Sequence, residues 1–535
     1  MALPPHLPPT RLSHRRRTHY DLLILSLLWL VLAASALMRP LLPIDETRYV
    51  SVAWEMWQGH HFWVPLMNGA PYADKPPLLF WLIHAGWAVF GVNDWWPRLI
   101  SPLASLVGLV QIYRIARGLD YAPEHARLAP LVLMTMLLWQ LYSGALMFDV
   151  LLSACLLGAI ATLIRGAFDT RRIMVCGLWV GLALLAKGPV ALVTLAPVLL
   201  SSPWWRAVPF TRAEWRRVLG ALGLGVVMLL GWALVAAWLG GGEFARMLLW
   251  GQTVDRLHNS MAHARPMWWY LPWLVLLMFP WTLWPSARPG LPRQRRQRLA
   301  WCWVLPPLVV FSLISGKQVH YLMPLLPGVA LMIMDRLAQQ PERAAGSKRP
   351  VALAIAALGA VALGALLFGI GAVDTTLILP FGAVLLLGIG VLLWWLPVRS
   401  LFDTARTLAI VSTLALVVVL QVVLSPLWHR NSVTGPGQLI GILQRDGVPV
   451  AFAGGDYQAT FQFAGRLKAP LIELSSDEAL CRFRSASPEG WVVGRARDEA
   501  FRDATASARM HRYAYRSGTL LILPVSGIRA STVCP

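Results

Sequence analysis

Charge is what this sequence has least of. Only 14% of its 535 residues are Asp, Glu, Lys or Arg, where a soluble chain carries about 25%. Acid is scarcer still, with 26 carboxylates against 47 Lys and Arg and a formal net charge of +21. The shortage of charge excludes an ordinary soluble fold. The basic excess does not point to nucleic acid, because the Arg residues fall in short clusters between apolar runs and no nucleic-acid motif accompanies them. Cysteine is rare as well. Of the five, Cys155, Cys176 and Cys302 lie in or beside apolar runs, so no metal framework of paired cysteines is available. No internal repeat is visible, which argues against a transporter built from duplicated halves. The "AGGDY" near residue 455 is neither a GxGxxG nor a Walker pattern, and no nucleotide site is assigned to it.

What is abundant is apolar: 57% of the residues are hydrophobic and 27 are Trp. This is the balance of a polytopic membrane protein. A spanning helix needs about 20 mainly apolar residues. Thirteen runs qualify, near 22–42, 97–117, 127–146, 150–168, 173–186, 188–204, 217–239, 268–287, 299–315, 319–336, 351–371, 375–396 and 406–427. Lys187, Gly188 and Pro189 interrupt the 173–204 region. The basic start, "MALPPHLPPTRLSHRRRTHYD", resembles the opening of a signal peptide. However, the run after it is long enough to span and "LMRPLLPIDE" offers no small-residue cleavage site, so it reads as a retained first helix with a cytoplasmic N-terminus.

The loops sort by charge. Alternate loops hold Arg15 to Arg17, Arg114 to Arg127, Arg165 to Arg172, Arg206 to Arg217, Arg293 to Arg298, Arg343 to Arg349, and Arg399 with Arg406. The Lys/Arg rule makes that face cytoplasmic. The opposite face carries Asp45, Glu46, Glu55, Asp74, Asp94, Asp149, Glu243, Asp255 and Asp374. Two of its loops are long. Residues 43–96 contain weakly amphipathic stretches at 47–58 and 78–91, expected to lie in the interface, and residues 240–267 form the second. After Arg430 the composition changes. "VPVAFAGG", "APLIELS", "GWVVGR", "HRYAY" and "TLLILPV" read as strands, and "DYQATFQFAG", "SSDEALCRF" and "ARDEAFRDATASA" as helices. The chain therefore divides into a transmembrane part, 1–430, and a small α/β domain, 431–535, on the acidic outer face.

Carboxylates pressed against apolar helix ends are costly unless paired or wet. Asp45 and Glu46 follow the first run in "PIDETRYV", and Asp149 sits in "ALMFDVLLSA", a turn on the same face. Cations accompany them: Lys75 in "PYADKPPLLFW", Lys187 in "ALLAKGPVAL", Arg256, His263 and Arg265 in "GQTVDRLHNSMAHARPMWWYLPW", and Lys317 with His320 and Tyr321 in "SGKQVHYLMPLLP". Taken singly, Asp149 fits a turn residue, Lys187 a snorkelling cation and Tyr321 an interface aromatic. Together on one face they suit phosphoester chemistry, in which cations hold a leaving phosphate and a carboxylate takes a proton from the attacking group. His258, His263 and His320 are candidate ligands for a divalent ion but lack HExxH spacing.

These motifs resemble the bacterial aminoarabinose transferases, and more broadly the GT-C glycosyltransferases that use lipid-phosphate sugars and are related to the protein O-mannosyltransferases. "PIDETRYV", "YADKPPLLFW", the Asp149 turn, "AKGP", "MAHARPMWWYLP" and "YLMPLLP" carry the resemblance, which covers essentially the whole chain. It implies an all-α polytopic membrane protein of GT-C type, about thirteen helices with a small C-terminal extracytoplasmic α/β domain, in a bacterial inner membrane. It implies an inverting enzyme with no tightly bound cofactor. The enzyme would move a sugar, most simply 4-amino-4-deoxy-L-arabinose, from undecaprenyl phosphate to a lipid A-type acceptor on the periplasmic face. Asp45 and Asp149 match the catalytic carboxylates, and Lys75, Arg256 and Tyr321 match the donor-phosphate contacts. Arg48 stands one turn from Asp45, where it supports that carboxylate and joins the donor-phosphate contacts, and Glu46, Lys187 and His263 are candidate substrate contacts. Asp74 and Met261 replace the Glu and Phe common in the family, which leaves the substrate open. Transfer to a protein or another glycolipid stays open too. A non-enzymatic lipid-linked-sugar flippase is the rival, but it would place ionisable residues at the bilayer midplane rather than at one face. Cys481 and Cys534 fall in the outer domain, either bonded or as two separate thiols.

Overall fold

The computed structural model describes residues 11–164, 169–248, 264–343, 345–368, 380–398, 400–455, 457–496, 498, 501, 509–516, 518–528 and 534. The apolar runs fold as helices, and among the described residues six are long and apolar enough to cross a membrane: His19–Met38, Trp95–Gly118, Arg212–Arg246, Val319–Ala338, Arg349–Phe368 and Leu401–Val423. A seventh is made if Leu137–Ser143 and Phe148–Ile164, bent by 111°, count as one span. All thirteen expected runs carry helix, but several are broken. Extended backbone at Met136 divides the run near 127–146, and Pro280 and Pro285 leave only short helical turns over much of 268–287. Such breaks are tolerated at membrane depth where protein covers the backbone.

The elements that build the end of the bundle carrying Asp45 and Asp149 are α1 (Arg11–Met38), α2 (Asp45–Gln58), α3 (Leu78–Phe90), α4 (Trp95–Gly118), α5 (Leu128–Thr135), α6 (Leu137–Ser143), α7 (Phe148–Ile164) and α8 (Thr170–Lys187). Asp45 and Glu46 occupy the first turn of α2, where carboxylates favour the helix dipole. The inner stripe of α2, including Val50, Val52, Ala53 and Met56, is fully buried. α3 starts after Pro76 and Pro77 and packs on α2, with the His84 ring 2.8 Å from the Ala53 carbonyl. α8 stops at Lys187 because Gly188 adopts φ 69° and Pro189 follows. Further along the chain, α9 (Arg349–Phe368) and α10 (Pro380–Trp395) pack backbone to backbone at Gly359 and Gly390, where a side chain would meet the neighbouring helix.

Past Arg430 the chain forms a five-stranded sheet from β1 (Val450–Ala453), β2 (Ile472–Leu474), β3 (Trp491–Arg495), β4 (His511–Tyr515) and β5 (Gly518–Pro524), in the order β2-β1-β3-β5-β4. β1 pairs in parallel with both β2 and β3, and β5 runs antiparallel to β3 and β4. β1 is wholly buried, as a central parallel strand of apolar residues requires. Of the helices expected here, Asp477–Ala486 forms, "DYQATFQFAG" yields only the turn Gln462–Gly465, and most of "ARDEAFRDATASA" lies outside the described residues. A disulfide joins Cys481 to Cys534, Cα atoms 5.2 Å apart, whereas Cys155, Cys176 and Cys302 are free and buried.

The sheet region sits directly on α2 and α3. Trp87 stacks on Phe463 with ring centres 5.4 Å apart. Trp54 donates to the Leu467 carbonyl at 2.9 Å, and Ser51 accepts from the Phe463 amide at 3.1 Å. The Asn68 side chain accepts from the Leu471 amide and from Gln462, each at 2.8 Å.

Candidate active site

Asp149 is the most deeply placed of the expected carboxylates, only 2% exposed, in the first turn of α7. Its partner is Lys187, the last residue of α8, with which it forms an ion pair. The Gly188 stop delivers that ammonium, since one more helical turn would carry the chain past the carboxylate. Lys187 also lies over the Tyr321 ring, 5.1 Å from its centre. Tyr321 in turn meets His320 edge to face at 4.9 Å, and His320 lies 5.9 Å from the Tyr142 ring. Lys75 and His320 are within electrostatic reach of Asp149.

Asp45 begins α2 with about half of its side chain exposed. It pairs with Arg48, one turn on, and the Tyr49 hydroxyl is 3.5 Å away. The link between the two carboxylates runs through Tyr142 and His320, each within electrostatic reach of both Asp45 and Asp149. The sequence-predicted Asp45, Asp149, Lys75, Lys187 and Tyr321 therefore converge. Arg256 and His263, with His258, lie outside the described residues. Among the described residues no group of three or more His, Cys, Asp or Glu is placed to hold a metal ion.

Two expected contacts have other partners. Glu46, expected as a substrate contact, is 4% exposed and faces inward. It receives both terminal nitrogens of Arg39 at 2.6 Å, the Leu42 amide at 2.8 Å and the Leu146 amide at 2.6 Å. Arg39 also donates to the Gly144 carbonyl. This saturated pair ties the exit of α1, the start of α2 and the 144–147 turn into one unit, and the turn leads straight into Asp149. Burial alone would raise the Glu46 carboxyl, but Arg39 and the two amides outweigh it and hold the group below the ordinary carboxylate range. Arg48, expected at the donor phosphate, is shared between Asp45 and Gln458, the latter at 2.7 Å. Its Nε is buried with no hydrogen-bond partner among the described residues.

Sequence reasoning missed Arg39 and Tyr142, and it placed His320 beside the carboxylates and as a metal candidate without giving it the place between Asp45 and Asp149. One signal for Arg39 was available: it closes the first apolar run seven residues before Glu46. Tyr142 gave none, because its place depends on the bend between α6 and α7.

The arrangement offers one half-exposed carboxylate, one buried carboxylate, two ammonium groups and an aromatic wall, at the level where α1 leaves the membrane. Residues 74–238 match the dolichyl-phosphate-mannose-protein mannosyltransferase family. A relative in Pseudomonas fluorescens, undecaprenyl phosphate-α-4-amino-4-deoxy-L-arabinose arabinosyl transferase 1, is 30% identical over 469 residues, 82% of each chain. A relative of the same name in Pseudomonas aeruginosa is 32% identical over 312 residues, and the match spans little more than half of its length, 55%. The crystal structure of ArnT from Cupriavidus metallidurans bound to undecaprenyl phosphate superposes with a TM-score of 0.72 at 19% identity, covering 94% of this chain and 98% of that one. The fold is thus that of ArnT, and with the long match to the Pseudomonas fluorescens enzyme it places the chain in the undecaprenyl phosphate-aminoarabinose arabinosyl transferase family.

Proposed function

We propose that the chain is an inverting membrane glycosyltransferase that moves 4-amino-4-deoxy-L-arabinose from undecaprenyl phosphate to a lipid A-type acceptor. The observation that carries this reading is the meeting of Asp45 and Asp149 with Lys75 and Lys187 around His320. It is supported by a family whose members are named for that donor. The acceptor oxygen attacks the sugar C1 on the face away from the phosphate. The C1–O bond to the phosphate breaks, and undecaprenyl phosphate leaves with the bonding electrons. Lys75, Tyr321 and Arg256 hold the leaving phosphate. Lys187 fixes Asp149 in place. Asp45 takes the proton where the acceptor oxygen carries one.

Thirteen helices, an inner-membrane location, a cytoplasmic N-terminus and an outer domain of 431–535 complete the reading. α2 and α3 lie along the bilayer surface, so the sugar-phosphate sits at headgroup height with its tail between helices. Mass analysis of lipid A from cells with and without the protein tests it, together with transfer by the purified enzyme. Lipid A should gain aminoarabinose only when the protein is present. An unchanged lipid A alongside a modified protein or other glycolipid would reassign the acceptor.

A further inference from the structure

At the opposite end of the bundle from the Asp45–Asp149 cluster, a cavity of about 270 Å³ opens between α1, α5, the chain after Ala338 and the helix Leu401–Val418. This is the Arg-rich face. His19 and Leu401 start candidate spans there and Ala338 ends one, so the cavity lies at headgroup height. Its upper lining is ionic. Asp21 takes Arg127 Nε at 2.8 Å and Arg406 at 2.7 Å. Arg406 also reaches Asp403 at 3.0 Å, so each of its three guanidinium nitrogens has a carboxylate partner.

Arg127 differs. The residue is only 8% exposed and lines the cavity, yet among the described residues its two terminal nitrogens make no hydrogen bond. A buried guanidinium with an open edge is the group that takes a phosphate in two parallel hydrogen bonds. Close by, Glu124 also lines the cavity and makes no ion pair or hydrogen bond among the described residues. A phosphate alone would be repelled by Glu124, and an amine alone by Arg127. Toward the membrane the lining turns apolar at Leu128 and Leu131.

We infer that this cavity binds the headgroup of an ethanolamine phospholipid, its phosphate on Arg127, its ammonium on Glu124 and its glycerol end against Leu128 and Leu131. A choline headgroup has no N–H to donate to Glu124, and a glycerol headgroup has no cation at all. The site lies apart from the transferase chemistry and does not depend on it.

The full-length protein, purified and delipidated in mild detergent, is titrated with phosphatidylethanolamine, phosphatidylcholine or phosphatidylglycerol. Thermal unfolding and native mass spectrometry read the binding, with soluble O-phosphoethanolamine as competitor. Phosphatidylethanolamine should be retained in preference to the other two, and the competitor should displace it. Glu124→Gln removes a carboxylate that holds no other group among the described residues, and should lower that preference about tenfold, the worth of one charge-assisted hydrogen bond. Arg127→Lys should weaken retention of all three lipids. Equal retention of the three by the wild type, or an unchanged preference in Glu124→Gln, overturns the proposal.

Discussion

The Asp149–Lys187 pair is buried, and that makes its two contributions separable. Asp149→Asn removes the proposed chemistry and also leaves the Lys187 ammonium unpaired, which typically costs about 3–5 kcal/mol. Adding Lys187→Met should restore much of the thermal stability but none of the transfer. If the double variant regains turnover, Asp149 is only structural. Asp45 carries less of such a second duty, since its pair with Arg48 is half exposed to solvent and a pair of that kind is worth little. Asp45→Asn should therefore cut kcat by at least about 10²-fold, the usual worth of a positioned proton acceptor, with the unfolding temperature almost unchanged. Glu46→Gln should do the reverse in part. Its loss loosens the turn before Asp149, so stability falls by several kcal/mol and kcat drops while donor KM holds. A donor KM that rises with kcat intact would return Glu46 to the substrate contacts.

At the scale of elements, the Arg39–Glu46 clamp makes the start of α2 sensitive to acid in a defined direction. The Glu46 carboxyl sits below its ordinary range in the folded state. Its contribution is therefore complete above the unfolded value of about 4.3, and it is lost as pH falls from there through the lowered value. The gap in unfolding temperature between wild type and Glu46→Gln should be constant near neutrality and shrink below about pH 4. A gap that widens in acid would mean that Glu46 is not ionised in the fold. Much at this scale was legible in the sequence. The amphipathic stretches after Pro43 and after Pro77 became α2 and α3, and alternating apolar residues past Arg430 became strands, because side-chain periodicity reports which face is covered. The division at Met136 was not legible. An extended residue inside an apolar run follows from what packs against it, and composition carries no trace of that. The same reason hid the inward turn of Glu46. Whether a carboxylate meets solvent or an arginine is decided by tertiary distance, and only the unpaired look of "PIDE" reached the sequence reader.

On the scale of the whole molecule, two expectations concern what lies outside the bilayer. A reporter fused after Pro535 should be active only on the outer side, and reporters in the Arg-rich loops only inside. Activity of the C-terminal fusion in the cytoplasm would invert the assignment of both faces. The Cys481–Cys534 bond closes a sequence separation of 53, a loop worth about 4 kcal/mol in the chain-entropy account. Cys481→Ser should lower the stability of the sheet region by up to that amount, read by hydrogen exchange in β1 and β3, and should leave the exchange of the buried α4 and α7 amides unchanged. Equal loosening of the bundle would show that the two regions unfold as one.

The brace between Arg48 and Gln458 joins residues 410 positions apart. A ribosome working at about 5–20 residues per second needs roughly 20–80 s to travel that distance. Throughout that interval α2, which the proposed topology puts in the outer compartment, is already made, while the segment that presses on Arg48, Ser51 and Trp54 does not yet exist. A nascent or prematurely terminated chain therefore has its first loop in place without the cover that orders it. The docking acts as a timer: one of the earliest segments to leave the membrane waits on one of the latest to be made.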